Sequence, residues 1–376
     1  MNDNAMEILK DLSTAQGAPQ SLLVIAELGT AHSGEISKAK EMIAAAGEAG
    51  ADCVKFQWVI ADEILHPNTG EVELPGGRIP LYERFKQLES PPEFYAQAKE
   101  YAESKGLLFL CTPFGLKSAQ LLRKIAPKMV KIASPELNYT ALLQEVGSWG
   151  LFTMLSTGVS KLSDIEEALS ALSASGTACP ACLLHCVTAY PAPESDYNLK
   201  VLGSLRAIFG LPVGISDHSM DPELVPLLGF CQGAQVIEKH FCLSRSDPGL
   251  DDRFALPPLQ FARMVNALRN AQKAGPQETL AALTRERGEE TVAAVLGTGV
   301  KTLAPSEKAN YSRTNRSLHA LRDIKPGEVI ERGDVGVLRT EKILRPGLKP
   351  SWEPWVYGRT ARNFISNGEG IRFEDV

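Results

Sequence analysis

Residues 213–241 read VGISDHSMDPELVPLLGFCQGAQVIEKHF, and this stretch decides the fold. Two short apolar runs, Val213–His218 and Val236–His240, flank a helix-like segment, Pro222–Gln232. Neither run alternates like a half-exposed strand, which is how parallel strands buried on both faces read. Each run ends in a histidine. The same grammar extends outward. Leu22–Glu27, Cys53–Gln57, Leu107–Thr112, Met129–Ser134, Phe152–Thr157 and Cys182–Thr188 are further apolar runs that close on polar or reactive residues. Helix-like Ile36–Gly50, Pro92–Gly106 and Leu162–Ala174 lie between them. Eight strands alternating with helices predict an α/β fold, a (β/α)₈ (TIM) barrel, whose active sites lie at the C-terminal strand ends.

Those ends carry Glu27, Lys55, Gln57, Thr112, Lys131, Ser134, Ser156, Thr157, Thr188, Asp217, His218 and His240. A purely structural barrel has no need of lysines, carboxylates and histidines on one rim. His218 and His240 close adjacent strands, which lie about 5 Å apart. Two imidazoles with oxygen ligands suit a divalent ion such as Mn²⁺, with Mg²⁺ or Co²⁺ as alternatives. The plainer reading is two histidines bonded to neighbouring backbone, and spacing alone does not separate the two. His185 sits before a strand end, which suits the barrel interior. His32, in the loop after the first strand, is placed to contact substrate, and His66 and His319 read as surface residues.

Lys55 and Lys131 interrupt apolar runs, in CVKFQ and MVKIAS. An ammonium there must be paired or face a polar site, since burying it bare is very costly. A phosphorylated or carboxylated substrate would supply the countercharge; the alternative is an internal pair with Glu27 or Glu136. Ser156-Thr157-Gly158, ahead of a helix, offers hydroxyls and backbone donors to a phosphate. Glu27 and Glu136 suit a base or hydroxyl anchor, and Asp251 suits a metal ligand, a sugar contact or a turn.

Bulk properties narrow the function class. The chain has 376 residues, 44% hydrophobic and 22% charged, as in ordinary globular proteins. A net charge of −6 and the lack of a basic run argue against a nucleic-acid partner. No apolar stretch is long enough to predict a membrane span. The amino terminus lacks the pattern of a signal peptide, and the seven cysteines suit buried thiols in a reducing cytoplasm. The lone Cys179-Pro-Ala-Cys182 opens a strand, not a helix, which disfavours a redox or zinc role.

The expected organisation is a lead-in over 1–20, a barrel over 21–274, a polar helical linker over 275–311 and a small, mostly β domain over 312–376. The loop from Trp58 to Ser90 reads as a lid or substrate wall. The small domain shows few large apolar side chains, so it is expected to lean on a partner surface.

Together these residues resemble the sialic acid synthases and their relatives, which make nine-carbon 2-keto acids. The matching stretches are IAELGTAHSGEISKAKEMIAAAGEAGADCVKFQ, FLCTPF, VKIASPEL, LSTGV, LLHCVTAYPAP, VGISDHS, VIEKHF and DPGLDD. RSLHALRDIKPGEVI is similar to the antifreeze-like (SAF) domain that ends those enzymes. The resemblance implies condensation of phosphoenolpyruvate with an open-chain N-acylated hexose such as N-acetylmannosamine, with C–O cleavage and phosphate release. It implies that His218 and His240 hold the metal. Lys55, Lys131, Ser134, Ser156 and Ser216 would hold phosphoenolpyruvate. Glu27, Glu136, Tyr190 and Asp251 would face the sugar and the reacting centre, with Gln57, Thr112, Phe114 and Thr188 around them. An SAF-domain arginine, Arg339 or its rival Arg345, would reach the acyl group from the other subunit of a domain-swapped homodimer. Two departures touch the acceptor: GTAHSG replaces an Asn-His pair, and Thr188 stands where asparagine is frequent. Alternatives are a pseudaminic, legionaminic or sugar-phosphate-accepting synthase, a metal-dependent pyruvate aldolase, or a sugar-binding protein on a dead barrel.

Overall fold

A computed structural model describes residues 11–12, 22–74 and 77–376. Its parallel strands are β1 (Leu23–Gly29), β2 (Cys53–Trp58), β3 (Leu108–Pro113), β4 (Met129–Ile132), β5 (Phe152–Ser156), β6 (Ala181–Cys186), β7 (Val213–Asp217) and β8 (Val236–His240). They form one sheet in the order β3-β2-β1-β8-β7-β6-β5-β4. β3 and β4 pack side by side and close the ring. The barrel expected from sequence is therefore present. Four strands end one or two residues earlier than their apolar runs, so Ser134, Thr157, Thr188 and His218 sit at the start of loops.

The helices around the ring are α1 (Ile36–Glu48), α2 (Pro92–Ser104), α3 (Leu116–Lys124), α4 (Thr140–Gly147), α5 (Leu162–Ser173), α6 (Val201–Phe209), α7 (Leu224–Cys231) and α8 (Pro258–Ala274). Proline opens α2 and α8, where its missing N–H costs nothing. Each surrounding helix shows the sheet one apolar face, except α7, which is buried on nearly every residue from Leu224 to Phe230. The reason lies in the linker. It is not a loose tether: α9 (Pro276–Arg287) and α10 (Glu289–Leu296) cover α7 from outside. A helix apolar all round needs cover all round.

Strand alternation sorts the side chains. Leu23, Ile25, Leu108, Leu110, Met154 and Leu184 point inward and fill the lower barrel. Leu12 is buried among the same group, while the rest of the expected lead-in over 1–20 lies outside the described residues. One or two steps further up, the same inward faces carry Glu27, Lys55, Lys131, Ser156, Ser216 and Glu238. His185 lies on the opposite face from Leu184. It is buried toward the helix layer, where Nε2 contacts the Tyr197 carbonyl, and not in the barrel interior.

The small domain pairs β9 (Arg316–Ala320) with β10 (Val335–Arg339), antiparallel. Leu318, Ile324, Ile330, Val356, Ile365 and Ile371 are fully buried, so its core is better filled than its composition suggests. His319 is wholly buried beside Ser317 and Thr340, and His66 is buried against Asn367. Both histidines were expected at the surface; packing between segments far apart in sequence encloses them. The loop after β2 folds into short turns, a hairpin (Glu71–Leu74 with Gly77–Pro80) and a helix, Leu81–Lys86. Expected as a lid or substrate wall, it has no described residue lining the cavity at the barrel mouth and serves as a seat for the small domain: the Arg339 amide donates to the Ile64 carbonyl at 2.9 Å. The sequence resemblance implies a cap supplied by a partner. In this structure of one chain the cap contacts its own barrel. Among the described residues, no helix is long and apolar enough to cross a membrane.

Candidate active site

A cavity of about 220 Å³ opens between the barrel mouth and the small domain. Register explains its floor. Glu27 lies beside Lys55 on one neighbouring strand and beside His240 on the other, and Glu238 lies beside Ser216. Lys55 Nζ stands 2.6 Å from Glu27 and 2.8 Å from Glu238. Lys131 Nζ is 3.4 Å from the same Glu238 oxygen, which also accepts the Ser216 hydroxyl at 2.9 Å. Gln57 donates to Glu27 at 3.0 Å.

Electrostatics follow from this crowding. Burial draws the Lys55 ammonium down to about 8, against the pull of Glu238. Burial would raise the Glu238 carboxyl, but Lys131, Lys55 and the Ser216 hydroxyl outweigh it and hold the group well below the usual carboxylate range. Among the described residues, Glu238 Oε2 and the Ser156 hydroxyl are buried without a hydrogen-bond partner. Buried polar atoms are ordinarily satisfied. A ligand between the lysines and these serines would satisfy them.

Above the floor stand the two histidines. The His218 and His240 rings are 5.5 Å apart, centre to centre. His218 Nδ1 is fixed by the Val187 carbonyl at 2.8 Å, and Cys186 Sγ is 3.8 Å from the same nitrogen. Nε2 faces the cavity and the Tyr190 hydroxyl at 3.3 Å. Behind it, Tyr197 donates to Asp217 at 2.6 Å and accepts from the His218 amide at 2.7 Å, while Lys239 holds Asp217 at 2.5 Å. Burial, and then the nearby His218 and Lys55, keep His240 well below its usual range. Asp251 Oδ2 lies 3.9 Å from His240 Nδ1. Burial lifts the Asp251 carboxyl to about 6. A Cβ added at Gly29 would meet Glu27, Gln57 and Asp251 at 3.3–3.7 Å, so these groups surround one point.

Two imidazoles and a nearby carboxylate suit a divalent cation. Among the described residues no group of three or more His, Cys, Asp or Glu side chains has metal-binding geometry. A cation there would therefore complete its shell with substrate and water.

The roof comes from the small domain. Arg339, Thr314 and Glu341 line the cavity. Arg339 donates to Glu136 at 2.7 Å and packs over the Phe114 ring. Glu136 is also gripped by Arg316, at 2.9 Å. Arg345 does not reach the cavity: its guanidinium pairs with Asp375 and the Gly370 carbonyl inside the small domain.

Of the site residues expected from sequence, Lys55, Gln57, Lys131, Ser134, Ser156, Thr188, Tyr190, Ser216, His218, His240 and Arg339 all line this one cavity. Glu27 and Asp251 stand directly behind or beside it. Thr112 is buried with its hydroxyl unpartnered, Phe114 backs Arg339, and Glu136 anchors the roof. His32 does not line the cavity; it is buried and stacked on Phe94 at 4.4 Å. Glu238, Cys186, Thr314, Glu341 and Arg316 were missed. Glu238 had a signal, since it lies two residues before His240 and so on the same strand face. Arg316 had none.

Comparison with known proteins agrees with this geometry. Residues 42–279 match the NeuB family and residues 315–376 match the SAF domain. The N,N'-diacetyllegionaminic acid synthase of Legionella pneumophila is 31% identical over 370 residues, 96% of each chain. The crystal structure of the Bacillus subtilis spore coat polysaccharide biosynthesis protein SpsE superposes with a TM-score of 0.79 at 32% identity, over 95% of each chain. An N-acetylneuraminic acid synthetase from Leptospira borgpetersenii superposes with a TM-score of 0.62 at 30% identity, over 72% of this chain and 94% of that one. The chain belongs to the NeuB family, is an enzyme of that family, and ends in an SAF domain.

Proposed function

We propose that this enzyme is a nonulosonic acid synthase: it condenses phosphoenolpyruvate with an open-chain N-acylated amino sugar and releases phosphate by C–O cleavage. The observation that carries the reading is the cavity floor, where two buried lysines share Glu238 below two histidines. Lys55 and Lys131 face the carboxylate and phosphate of phosphoenolpyruvate, with Ser134, Ser156 and Ser216 supplying hydroxyl donors. His218 and His240 would hold a divalent cation, with Mn²⁺ preferred over Mg²⁺ or Co²⁺, and such an ion polarises an aldehyde oxygen. C3 of phosphoenolpyruvate attacks the aldehyde carbon. Asp251, beside His240, is placed to pass a proton to the oxygen that becomes a hydroxyl. Positive charge develops at C2, where Glu238 and Glu27 stabilise it. Water adds at C2, and phosphate departs with the bridging oxygen.

The acceptor sits under the roof. Thr188 faces the cavity while His32 does not, so the departure at 188 bears on acceptor choice and that at His32 does not act by contact. The names of the relatives favour a diacetamido sugar of the legionaminic type or an N-acetylated mannosamine.

The test is a panel of N-acylated hexoses with phosphoenolpyruvate, read by phosphate release and product mass, before and after chelation. One sugar should give stoichiometric phosphate, lost on chelation or in His218→Ala and restored to the wild type by Mn²⁺. Product formed from pyruvate without phosphate would make the enzyme an aldolase instead. Activity surviving exhaustive chelation would remove the cation.

A further inference from the structure

The most informative group outside the reaction chemistry is a carboxylate in the linker. Glu307 is almost wholly buried, at 1% exposure, although it belongs to the segment that joins barrel to cap. Its Oε1 accepts the amides of Val159 at 2.7 Å and Thr188 at 2.8 Å. Its Oε2 accepts the Ala304 amide at 3.1 Å. A segment needed only for connection has no reason to bury a carboxylate, which is costly unless bonded on this scale.

The two amides belong to loops that follow β5 and β6, the strands that deliver Ser156 and Cys186 to the cavity. Val159 sits at φ = +40°, a left-handed conformation that a β-branched residue adopts only under constraint. The linker and the start of the small domain supply that constraint from the two sides. Glu307 holds the Val159 amide, and Asn315 donates to the Val159 carbonyl at 3.1 Å. Lys301 adds a bond to the Thr157 carbonyl at 2.7 Å. The turn in turn fixes a substrate donor: the Gly158 amide donates to the Ser134 hydroxyl at 3.0 Å. A Cβ at Gly158 would meet Thr188, Ser134 and Glu307 at 2.1–3.1 Å, so the three elements close on one another without spare room.

We propose that Glu307 is a positioning residue for the phosphoenolpyruvate subsite: by clamping Val159 it sets Ser134 and Ser156 in place, and its second bond, to the Thr188 amide, ties that turn to the acceptor side of the cavity. The same segment runs on to Thr314 in the cavity roof and Arg316 on Glu136, so seating the cap and shaping the anion subsite are one event. The inference rests on the proposed reaction but can be judged apart from it.

Glu307→Ala should raise the phosphoenolpyruvate KM about tenfold, the scale of a lost charge-assisted contact, and the sugar KM by clearly less, through Thr188 alone. Adding Val159→Gly should recover most of the loss, because glycine holds a positive φ without the clamp. Hydrogen exchange at the Val159 and Thr188 amides should quicken in Glu307→Ala. If that variant does not fold, Glu307→Gln, which removes the charge and presents an amide to Ala304, takes its place. A folded variant with wild-type phosphoenolpyruvate KM, or a defect equal for both substrates and not recovered by Val159→Gly, overturns the proposal. If wild-type protein releases no phosphate, the reaction assignment fails, and exchange at the two amides together with binding of inorganic phosphate still decides the clamp.

Discussion

Two buried carboxylates in this molecule each hold a pair of cations, and they are built for different work. Glu238 lies on the barrel floor between Lys55 and Lys131. Glu136 lies at the seam between barrel and cap, between Arg316 and Arg339. Lysine is a compact charge on a flexible stem whose pKa moves with burial, so it can trade one anion for another. Arginine stays charged and grips in a planar fork, so it suits a fixed joint. On the proposed reaction the floor would exchange Glu238 for a substrate anion, while the seam keeps the cap seated.

The sharpest way to break this contrast is at the seam. Glu136→Ala leaves Arg316, wholly buried, without its carboxylate. Removing one partner of a buried pair costs about 3–5 kcal/mol. Thermal or urea unfolding should show that loss, and cleavage by protease near 297–312 should quicken as the cap unseats. A loss below about 1 kcal/mol would mean that the carbonyls of Glu63, Phe114 and Val337 around Arg316 suffice.

At the floor the expected effect is catalytic. Lys131→Met should lower kcat/KM for phosphoenolpyruvate by about tenfold or more, from a charge-assisted bond of about 1.5–3 kcal/mol. Unchanged kinetics would make Lys131 an internal ion pair and nothing more. The floor was largely legible in sequence and the seam was not, for a physical reason. Strand alternation and a common rim place Lys55, Lys131 and His240 from local pattern alone, and the family resemblance adds Ser216. Arg316 meets Glu136 across 180 residues of chain, and no local periodicity records that. Glu238 was legible but hidden by its place between apolar Ile237 and basic Lys239, whose side chain turns the other way to Asp217. The buried His66 and His319 failed for the same reason as Arg316: the cover comes from another segment.

Between floor and seam stands Arg339, which touches both Glu136 and the cavity. Arg339→Ala should raise the sugar KM several-fold more than that for phosphoenolpyruvate, while Arg345→Ala should change neither by more than about twofold. The small domain contacts the barrel of its own chain here; if it does so in an assembly too, a mixture of Arg339→Ala and Lys131→Met chains should gain nothing over its parents. Recovered activity would show that caps are exchanged between subunits.

The smallest effect concerns pH. Lys55 is protonated below about 8 in the folded protein, so phosphoenolpyruvate affinity should be full there and fall as pH rises through about 8. The sign for stability is opposite. The folded value lies below that of an unfolded lysine, so the cost of burying this ammonium is present below about 8 and is relieved above it. A phosphoenolpyruvate KM that stays flat from pH 7 to 9.5 would take Lys55 out of the subsite.

On the proposed reaction the lysine floor binds phosphoenolpyruvate for C–C bond formation with C–O cleavage. The most direct measurement uses phosphoenolpyruvate labelled with ¹⁸O in the bridging position, together with the accepted amino sugar. The account predicts that the label leaves in inorganic phosphate. Phosphate free of label would show P–O cleavage and contradict it.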